Sequence, residues 1–195
     1  MTPPSPPSDL ARRRPLLTRL PAGSVLHRFY TAAYAPVFFD RSRTGRFNAP
    51  DGSYGVLYTA AHPAGAFAET FLRQPGRTLL PLDMLARKAY VRLRVLRELV
   101  LVRLGGPGLA RLGATAEIVH GGLPYDVAQA WSAALWGHPV MADGIAYTAR
   151  HDDDELCYAL FDRPPKPVTE ENWENDLDQD WFWELAARYR VGLAP

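Results

Sequence analysis

The sequence contains one cysteine and no long apolar run. A single thiol excludes an internal disulfide and suits a reducing compartment. Cys157 lies in the apolar stretch from Leu156 to Phe161, and no histidine is spaced as its base. It is therefore predicted to be a small core hydrophobe rather than a nucleophile. No stretch approaches the roughly 18 apolar residues that a bilayer-spanning helix needs, which argues against a membrane protein.

The chain also lacks an excess of charge of one sign. Its 195 residues carry a formal net charge of +1, which gives no overall attraction to nucleic acid or to a membrane surface. The first eight residues are rich in proline and have no apolar stretch of the kind found in signal peptides. The basic run at residues 12–14 is typical of a solvated surface. We expect a cytoplasmic protein that binds neither nucleic acid nor membrane directly.

Common cofactor and catalytic motifs are missing. The sequence has no Gly-x-Gly-x-x-Gly, no Walker loop, no Gly-x-Ser-x-Gly and no zinc-type spacing of cysteine and histidine. The five histidines are scattered, and the acidic residues 152–154 lack the spacing of a calcium loop. These three aspartates are predicted to form a solvated hairpin turn. We therefore expect no metal and no resident cofactor.

The pattern of apolar residues predicts one α+β domain. Residues 1–23 are predicted to be a disordered, proline-rich tail, residues 24–163 the folded domain, and residues 164–195 a region whose helix packs on that domain. Period-2 patterns predict strands over 26–30, 55–60, 144–148 and 155–161, and two more within 89–104. Helices are predicted from residue 63, over 125–138 and over 170–189. The absence of strand–helix repetition favours α+β over α/β.

Four residues near the start of the domain stand out. Arg28 lies on a predicted strand, Arg46 in a turn, Tyr58 on a second strand and Glu69 on the helix that follows it. Two cations, an aromatic ring and a carboxylate suit a phosphate-bearing ligand whose reaction develops positive charge on a sugar. Each residue also has a structural interpretation. Arg28 would be a paired charge and Arg46 would brace its loop, while Tyr58 would be a core ring and Glu69 a solvated carboxylate.

A series of short motifs surrounds these residues in a fixed order. They are Leu26-His27-Arg28, Gly45-Arg46-Phe47-Asn48, Val56-Leu57-Tyr58-Thr59-Ala60, Ala68-Glu69, Tyr125-Asp126 with Gln129 and Trp131, Gly144-Ile145-Ala146-Tyr147, and Ala159-Leu160-Phe161. Together they resemble the RES domain, a family named for an Arg, a Glu and a Ser. The resemblance covers about residues 24–162, most of the predicted domain.

The resemblance implies an ADP-ribosyltransferase-like fold with a split β-sheet core and flanking helices. It also implies a toxin that consumes NAD⁺ as a substrate and is paired with an Xre-type antitoxin blocking the cleft. Glu69 and Arg28 would be catalytic, with Glu69 stabilising the oxocarbenium-like state. The residues that would bind NAD⁺ are Arg28, Arg46, Asn48, Tyr58, Tyr147, Thr148 and the residue at position 149. The assembly would be a hetero-oligomer with the antitoxin or a homo-oligomer.

The sequence departs from the family pattern at one position. The family serine is expected where this chain has Ala149, in Tyr147-Thr148-Ala149-Arg150. The serine role is then dispensable, is taken by Ser42, Thr148 or a water, or the chain is impaired. A missing hydrogen bond to substrate weakens activity by about 10- to 1000-fold.

The function predicted from the sequence is NAD⁺ cleavage at the nicotinamide–ribose bond, by hydrolysis or phosphorolysis. Three alternatives stay open at this point. The first is transfer of ADP-ribose to a protein. The second is an impaired RES relative that serves as a binding module. The third is an interaction module whose tryptophan-rich terminal helix, with Trp173 and Trp181, docks a partner.

Overall fold

The computed structural model describes residues 4–74, 76 and 78–194. The strands are β1 (Leu17–Leu20), β2 (Val25–Thr31), β3 (Val56–Ala60), β4 (Leu79–Leu80), β5 (Lys88–Val95), β6 (Leu99–Arg103), β7 (Gly144–Ala149), β8 (Asp152–Phe161), β9 (Val168–Glu174) and β10 (Gly192–Leu193). The α-helices are α1 (Pro63–Phe71), α2 (Leu82–Ala86), α3 (Pro107–Leu112), α4 (Glu117–His120), α5 (Asp126–Trp136) and α6 (Asp180–Arg188), and a short 3₁₀ turn covers Leu10–Arg12.

Eight strands form one mixed sheet in the order β1-β6-β7-β8-β3-β2-β5-β9, while β4 and β10 pair separately. The β6–β7 pair is parallel, and the other neighbouring pairs of the large sheet are antiparallel. Helices lie between the strand groups without a regular strand–helix repeat. The α+β class predicted from the sequence is therefore confirmed.

The large sheet is split between β2 and β3. These neighbours share a single registered pair, His27 with Ala60, whereas β2 pairs with β5 along its whole length from Val25 to Thr31. Five strands lie on one side of the split and three on the other. Backbone groups along the split lack sheet partners and need others, because a buried carbonyl without a hydrogen bond is costly. This opening supplies the space for the cleft described below.

Helix α1 fastens the two halves of the split sheet. It begins with Pro63, whose missing N–H costs nothing in the first turn. Phe67 and Phe71, four residues apart, are buried on one side of the helix, as predicted. Their rings lie 5.6 Å and 5.4 Å from the ring of Phe182 on α6, and the Phe71 ring lies 5.2 Å from that of Phe29 on β2. Burying each phenylalanine contributes about 2 kcal/mol, so this face fixes α1 firmly.

The first residues of the chain correct the prediction of a disordered tail. Residues 17–20 form β1, which pairs with residues 99–102 of β6 at the sheet edge. Leu10 is buried, and Trp131 Nε1 donates to the carbonyl of Pro4 at 2.7 Å. The proline content gives no sign of this order because its partners lie about a hundred residues away in the sequence. Residues 1–3 of the predicted tail lie outside the described residues.

The final segment corrects the prediction of one long helix over 170–189. Residues 168–174 form the edge strand β9 beside β5, and α6 begins only at Asp180. The four-residue spacing of Trp173, Leu177 and Trp181 suggested one helical stripe. In the structure Trp173 is 54% exposed, whereas Leu177 is buried. Polar residues on the outer side of β9 suit an edge strand, and the apolar spacing is coincidental there.

Three shorter helices, α2, α3 and α4, were not predicted from the sequence. Helix α3 begins at Pro107, directly after two glycines. Helix α4 follows and covers only four residues. In the part of the chain that the structure describes, no helix is long and apolar enough to cross a membrane.

Candidate functional site

A cleft of about 1160 Å³ opens where the large sheet is split. Its walls come from β2 and β3, the loop over residues 40–46, helix α1, and the turn that joins β7 to β8. All four residues of the central prediction, Arg28, Arg46, Tyr58 and Glu69, line this one cleft. The first and the last of them are 41 positions apart in the sequence, and the fold brings all four together around one cavity.

Glu69 extends from α1 into the cleft with its carboxylate held at both oxygens. Oε1 accepts a hydrogen bond from the backbone N–H of Arg150 at 2.9 Å. Oε2 lies 3.7 Å from Nη2 of Arg46. The Glu69 side chain is 19% exposed, so it faces the cavity without being open to bulk solvent. A carboxylate oriented in this way presents fixed negative charge to whatever occupies the cleft.

Arg46 is a nearly buried cation enclosed by aromatic rings. Its guanidinium carbon lies 5.9, 5.9 and 5.8 Å from the ring centres of Phe47, Tyr125 and Tyr147, within cation–π range. Burial is the largest single effect and disfavours its charge, but the carboxylate of Glu69 and the hydroxyls of three nearby tyrosines together outweigh it and raise the pKa of Arg46. Nε and Nη1 are buried and have no hydrogen-bond partner in the structure. Arg46 therefore has donors available for a ligand.

Arg28 is the second cation of the cleft and has no carboxylate partner. Its Nη1 donates to the carbonyl of Tyr58 at 2.8 Å, which satisfies a β3 backbone group left open by the split. Its Nε is buried without a partner, and no ion pair to Arg28 occurs among the residues that the structure describes. Burial lowers its pKa to about 10, although Asp40 partly offsets this effect. A buried guanidinium of this kind suits a bound anion.

Tyr58 and Asn48 hold the loop that carries Arg46. The Tyr58 hydroxyl accepts from the backbone N–H of Phe47 at 2.8 Å and donates to Asn48 Oδ1 at 2.9 Å. Asn48 Nδ2 donates to Asp40 Oδ2 at 2.9 Å and to the carbonyl of Ser42 at 2.8 Å. Asn48 is fully buried and does not line the cleft. The sequence predicted Asn48 to bind substrate, and the structure gives it a positioning role beneath the site.

Replacing Tyr58 with phenylalanine tests this bracing. The change leaves the buried Phe47 N–H and Asn48 Oδ1 without their partner, so we expect a loss of about 2 kcal/mol in the free energy of unfolding. Urea denaturation measures that loss. Tyr34→Phe is the matched control, because the Tyr34 side chain is 58% exposed. Equal stability of the two variants would contradict the bracing role.

The β7 residues predicted to bind substrate divide into two groups. Tyr147 lines the cleft, with its ring 5.1 Å from that of Phe47. Thr148 does not line it, and its hydroxyl lies 3.4 Å from Nε2 of His120. Ala149 is fully buried in the main hydrophobic core and does not line the cleft either. The strand therefore contributes a ring from Tyr147 and, just after Ala149, the backbone N–H that holds Glu69.

Four further cations line the cleft, namely Arg41, Arg73, Lys88 and Arg150, and the sequence analysis did not assign them to the site. Lys88 Nζ donates to Thr31 Oγ1 at 3.1 Å. Burial lowers the pKa of Lys88, and the guanidinium groups of Arg73 and Arg28 lower it further. Arg73, which follows the end of α1, donates Nε to the Glu69 carbonyl at 2.7 Å. Lys88 directly precedes the strands predicted within 89–104, and no local signal marked it.

The turn after β7 adds Arg150 and His151 to the wall. The Arg150 guanidinium donates to the carbonyl of Gly121, which ties this turn to the end of α4. His151 Nε2 is buried without a hydrogen-bond partner. Burial lowers the pKa of His151, and the charge of Arg150 lowers it further, which favours a neutral imidazole near pH 7. The sequence predicted this segment only as a solvated turn.

Cys157 also touches the cleft, but its environment opposes nucleophilic chemistry. The residue is buried, and its Sγ lies 3.8 Å from the carbonyl of Gly65. Burial and the nearby Glu69 carboxylate raise the pKa of the thiol far above its usual range. The prediction of a small core residue is confirmed. Within the described residues no three His, Cys, Asp or Glu side chains are grouped to hold a metal ion.

The arrangement is a cleft with more cations than carboxylates in its lining. Arg28, Arg46, Arg73 and Lys88 supply positive charge for a ligand carrying several negative charges. Glu69 and Asp40 are the two carboxylates of the lining, and Glu69, which lies beside Arg46, could face developing positive charge. Such a combination can bind a phosphorylated sugar and stabilise a cationic state of that sugar.

Comparison with known proteins places this chain in a recognised group. No curated protein matches the sequence. Among solved structures, a chain of the M. tuberculosis MbcT–MbcA toxin–antitoxin complex superposes with a TM-score of 0.69 at 16% identity, covering 94% of this chain and all of that chain. At that identity the likeness shows a shared fold. The RES domain matches residues 18–183, which is most of the chain and includes the whole cleft. The chain belongs to the RES domain family.

Proposed function

We propose that this protein is a RES-type toxin that degrades NAD⁺ by cleaving the bond between nicotinamide and ribose. The observation that carries the proposal is the placement of Glu69. Its carboxylate is fixed by the Arg150 N–H and set beside Arg46 in a cleft whose other charged groups are mainly cations. This charge pattern complements a dinucleotide, which has a negative pyrophosphate and a ribose that becomes positive as nicotinamide leaves.

In the proposed reaction, binding precedes bond cleavage. The unpartnered donors of Arg28 and Arg46 bind pyrophosphate or ribose oxygens, and the rings of Tyr58 and Tyr147 form apolar walls for the nicotinamide. The bond from the ribose C1 to the nicotinamide nitrogen then breaks, and its electron pair leaves with neutral nicotinamide. Glu69 stabilises the oxocarbenium-like ribose by its negative charge.

An oxygen nucleophile completes the reaction on the ribose carbon. Water gives ADP-ribose and one proton, whereas inorganic phosphate gives ADP-ribose 1″-phosphate. Incubation of the protein with NAD⁺, with and without phosphate, followed by mass spectrometry of the products, distinguishes the two. A mass increase of ADP-ribose on an added protein would instead indicate a transferase. Intact NAD⁺ under all three conditions would overturn the proposal.

The proposal also includes a protein partner that inhibits the cleft. The similar M. tuberculosis chain was solved in a toxin–antitoxin complex, and a toxin acting on NAD⁺ needs such control in its own cell. We propose an antitoxin of Xre type that occupies the mouth of the cleft in a hetero-oligomer. Co-expression with the neighbouring reading frame, followed by size-exclusion chromatography and an activity assay, tests the complex and the inhibition.

Position 149 tests whether the departure from the family pattern impairs the site. We expect Ala149→Ser to change nicotinamide release by no more than about threefold. The side chain there is buried outside the cleft lining, and Glu69 is held by the following main-chain N–H, which the substitution retains. A tenfold or greater increase would support the impaired alternative. Thermal unfolding of the variant controls for the burial of an extra hydroxyl.

A further inference from the structure

The mouth of the cleft carries two exposed aromatic rings. Tyr34 is 58% exposed and Phe38 is 39% exposed, and both line the cleft. Their ring centres are 5.1 Å apart with an interplanar angle of 14°, so they stack on each other. Large apolar side chains exposed together at the rim of a cavity commonly mark a binding surface. Nothing in the proposed cleavage chemistry uses them.

The loop holds Phe38 in this position from both sides. Its neighbours Val37 and Phe39 pack against buried apolar side chains on the opposite face of the sheet. Phe39 also approaches Gly55 so closely that a Cβ at Gly55 would lie 2.8 Å from Phe39 Cβ. Asp40, two residues after Phe38, pairs with Val56 as an isolated bridge. Phe38 therefore points outward from an anchored segment, and its ring is presented with little loss of freedom on binding.

The position of the pair relative to the cations suggests what it binds. Arg28 lies on β2, and Thr31, which accepts from Lys88, ends that strand about 10 Å further along. The turn that begins at Thr31 carries Tyr34, whose N–H donates to the Thr31 carbonyl at 2.9 Å. Arg28, Lys88 and the aromatic pair therefore line one cleft. A dinucleotide carries the matching groups, a negative pyrophosphate and an adenine base.

We propose that Tyr34 and Phe38 form the adenine-binding platform of the cleft, stacking the purine of the dinucleotide. This inference rests on the proposed function, since it assigns the second half of the same ligand. Stacking of a base on an aromatic side chain is typically worth enough to change affinity about tenfold or more. The platform would also favour dinucleotides over nicotinamide mononucleotide, which has no base to stack.

Calorimetric titration of ADP-ribose and of nicotinamide mononucleotide tests the platform. ADP-ribose keeps the adenine and has no nicotinamide to lose, so its binding does not depend on catalysis. For Tyr34→Ala/Phe38→Ala we expect the Kd for ADP-ribose to rise about tenfold or more. The Kd for the mononucleotide should stay unchanged. Trp173→Ala, which removes an exposed ring outside the cleft, should bind ADP-ribose as the unsubstituted protein does.

The outcomes separate this inference from the proposed activity. Selective loss of ADP-ribose affinity supports the platform even if the protein releases no nicotinamide from NAD⁺. Equal affinity of the double alanine variant and the unsubstituted protein would overturn it, and would leave the rings to a protein partner. Equal weakening of both ligands would also overturn it, because the damage would then not be specific to the base. No ADP-ribose binding to the unsubstituted protein would overturn it as well.

Discussion

Glu69→Gln is expected to lower nicotinamide release from NAD⁺ by about 1000-fold while the affinity for ADP-ribose changes little. The amide oxygen of glutamine can still accept from the Arg150 N–H, so the side chain keeps its orientation. Only the negative charge beside Arg46 is lost, and in the proposed reaction that charge stabilises the oxocarbenium-like ribose. Single-turnover release of nicotinamide and calorimetric titration of ADP-ribose measure the two effects separately.

Glu184→Gln is the matched control for this substitution. Glu184 is exposed on α6 and does not line the cleft, so its amide variant should release nicotinamide as the unsubstituted protein does. If Glu69→Gln retained more than about a tenth of the activity, the carboxylate charge would not be the main source of transition-state stabilisation. A loss of ADP-ribose binding equal to the loss of rate would also contradict the assigned role, because Glu69 would then act in binding.

Arg28→Met is expected to raise the Kd for ADP-ribose and the KM for NAD⁺ by about 100-fold. The guanidinium has a buried Nε without a partner, and burial lowers its pKa to about 10 although Asp40 partly offsets this effect. A bound pyrophosphate would supply the missing anion. Methionine keeps much of the side-chain volume and removes the charge. Calorimetry and initial-rate kinetics give the two constants.

The stability of Arg28→Met distinguishes a ligand-binding cation from a structural one. Loss of the hydrogen bond to the Tyr58 carbonyl is offset by removal of an uncompensated buried charge, so the Tm should shift by only a few degrees, or about 1 kcal/mol. Arg103→Met, at an exposed position on β6 outside the cleft, is the control. Unchanged ligand affinity together with a large fall in Tm would show that Arg28 is a structural charge.

Local patterns in the sequence were sufficient to predict the strands and the helix that carry Arg28, Tyr58 and Glu69. Alternation predicted the strands around Arg28 and Tyr58, and Pro63 with the Phe67–Phe71 pair predicted the helix of Glu69. In these elements the residues that decide the structure are neighbours along the chain. The buried positions, the hydrophobic period and the helix start predicted for these elements therefore agree with the fold.

Contacts between segments that are distant in the chain could not be predicted from the sequence. Glu69 is oriented by the main-chain N–H of Arg150, 81 residues later, and a main-chain donor leaves no residue-type signal. Lys88 enters the cleft only because β5 pairs with β2 in a register that sets it opposite Thr31. The edge strands β1 and β9 likewise depend on pairing with β6 and β5, so tail composition and helical spacing misled the prediction at both ends.

Nicotinamide release under single-turnover conditions tests the central claim most directly. The purified protein is mixed in molar excess with NAD⁺, and free nicotinamide is quantified by chromatography, with binding of ADP-ribose to the same preparation established beforehand. We predict one nicotinamide released for each NAD⁺ supplied, with ADP-ribose or its 1″-phosphate as the second product. Complete recovery of intact NAD⁺ from a preparation that binds ADP-ribose would contradict the claim that this cleft cleaves the nicotinamide–ribose bond.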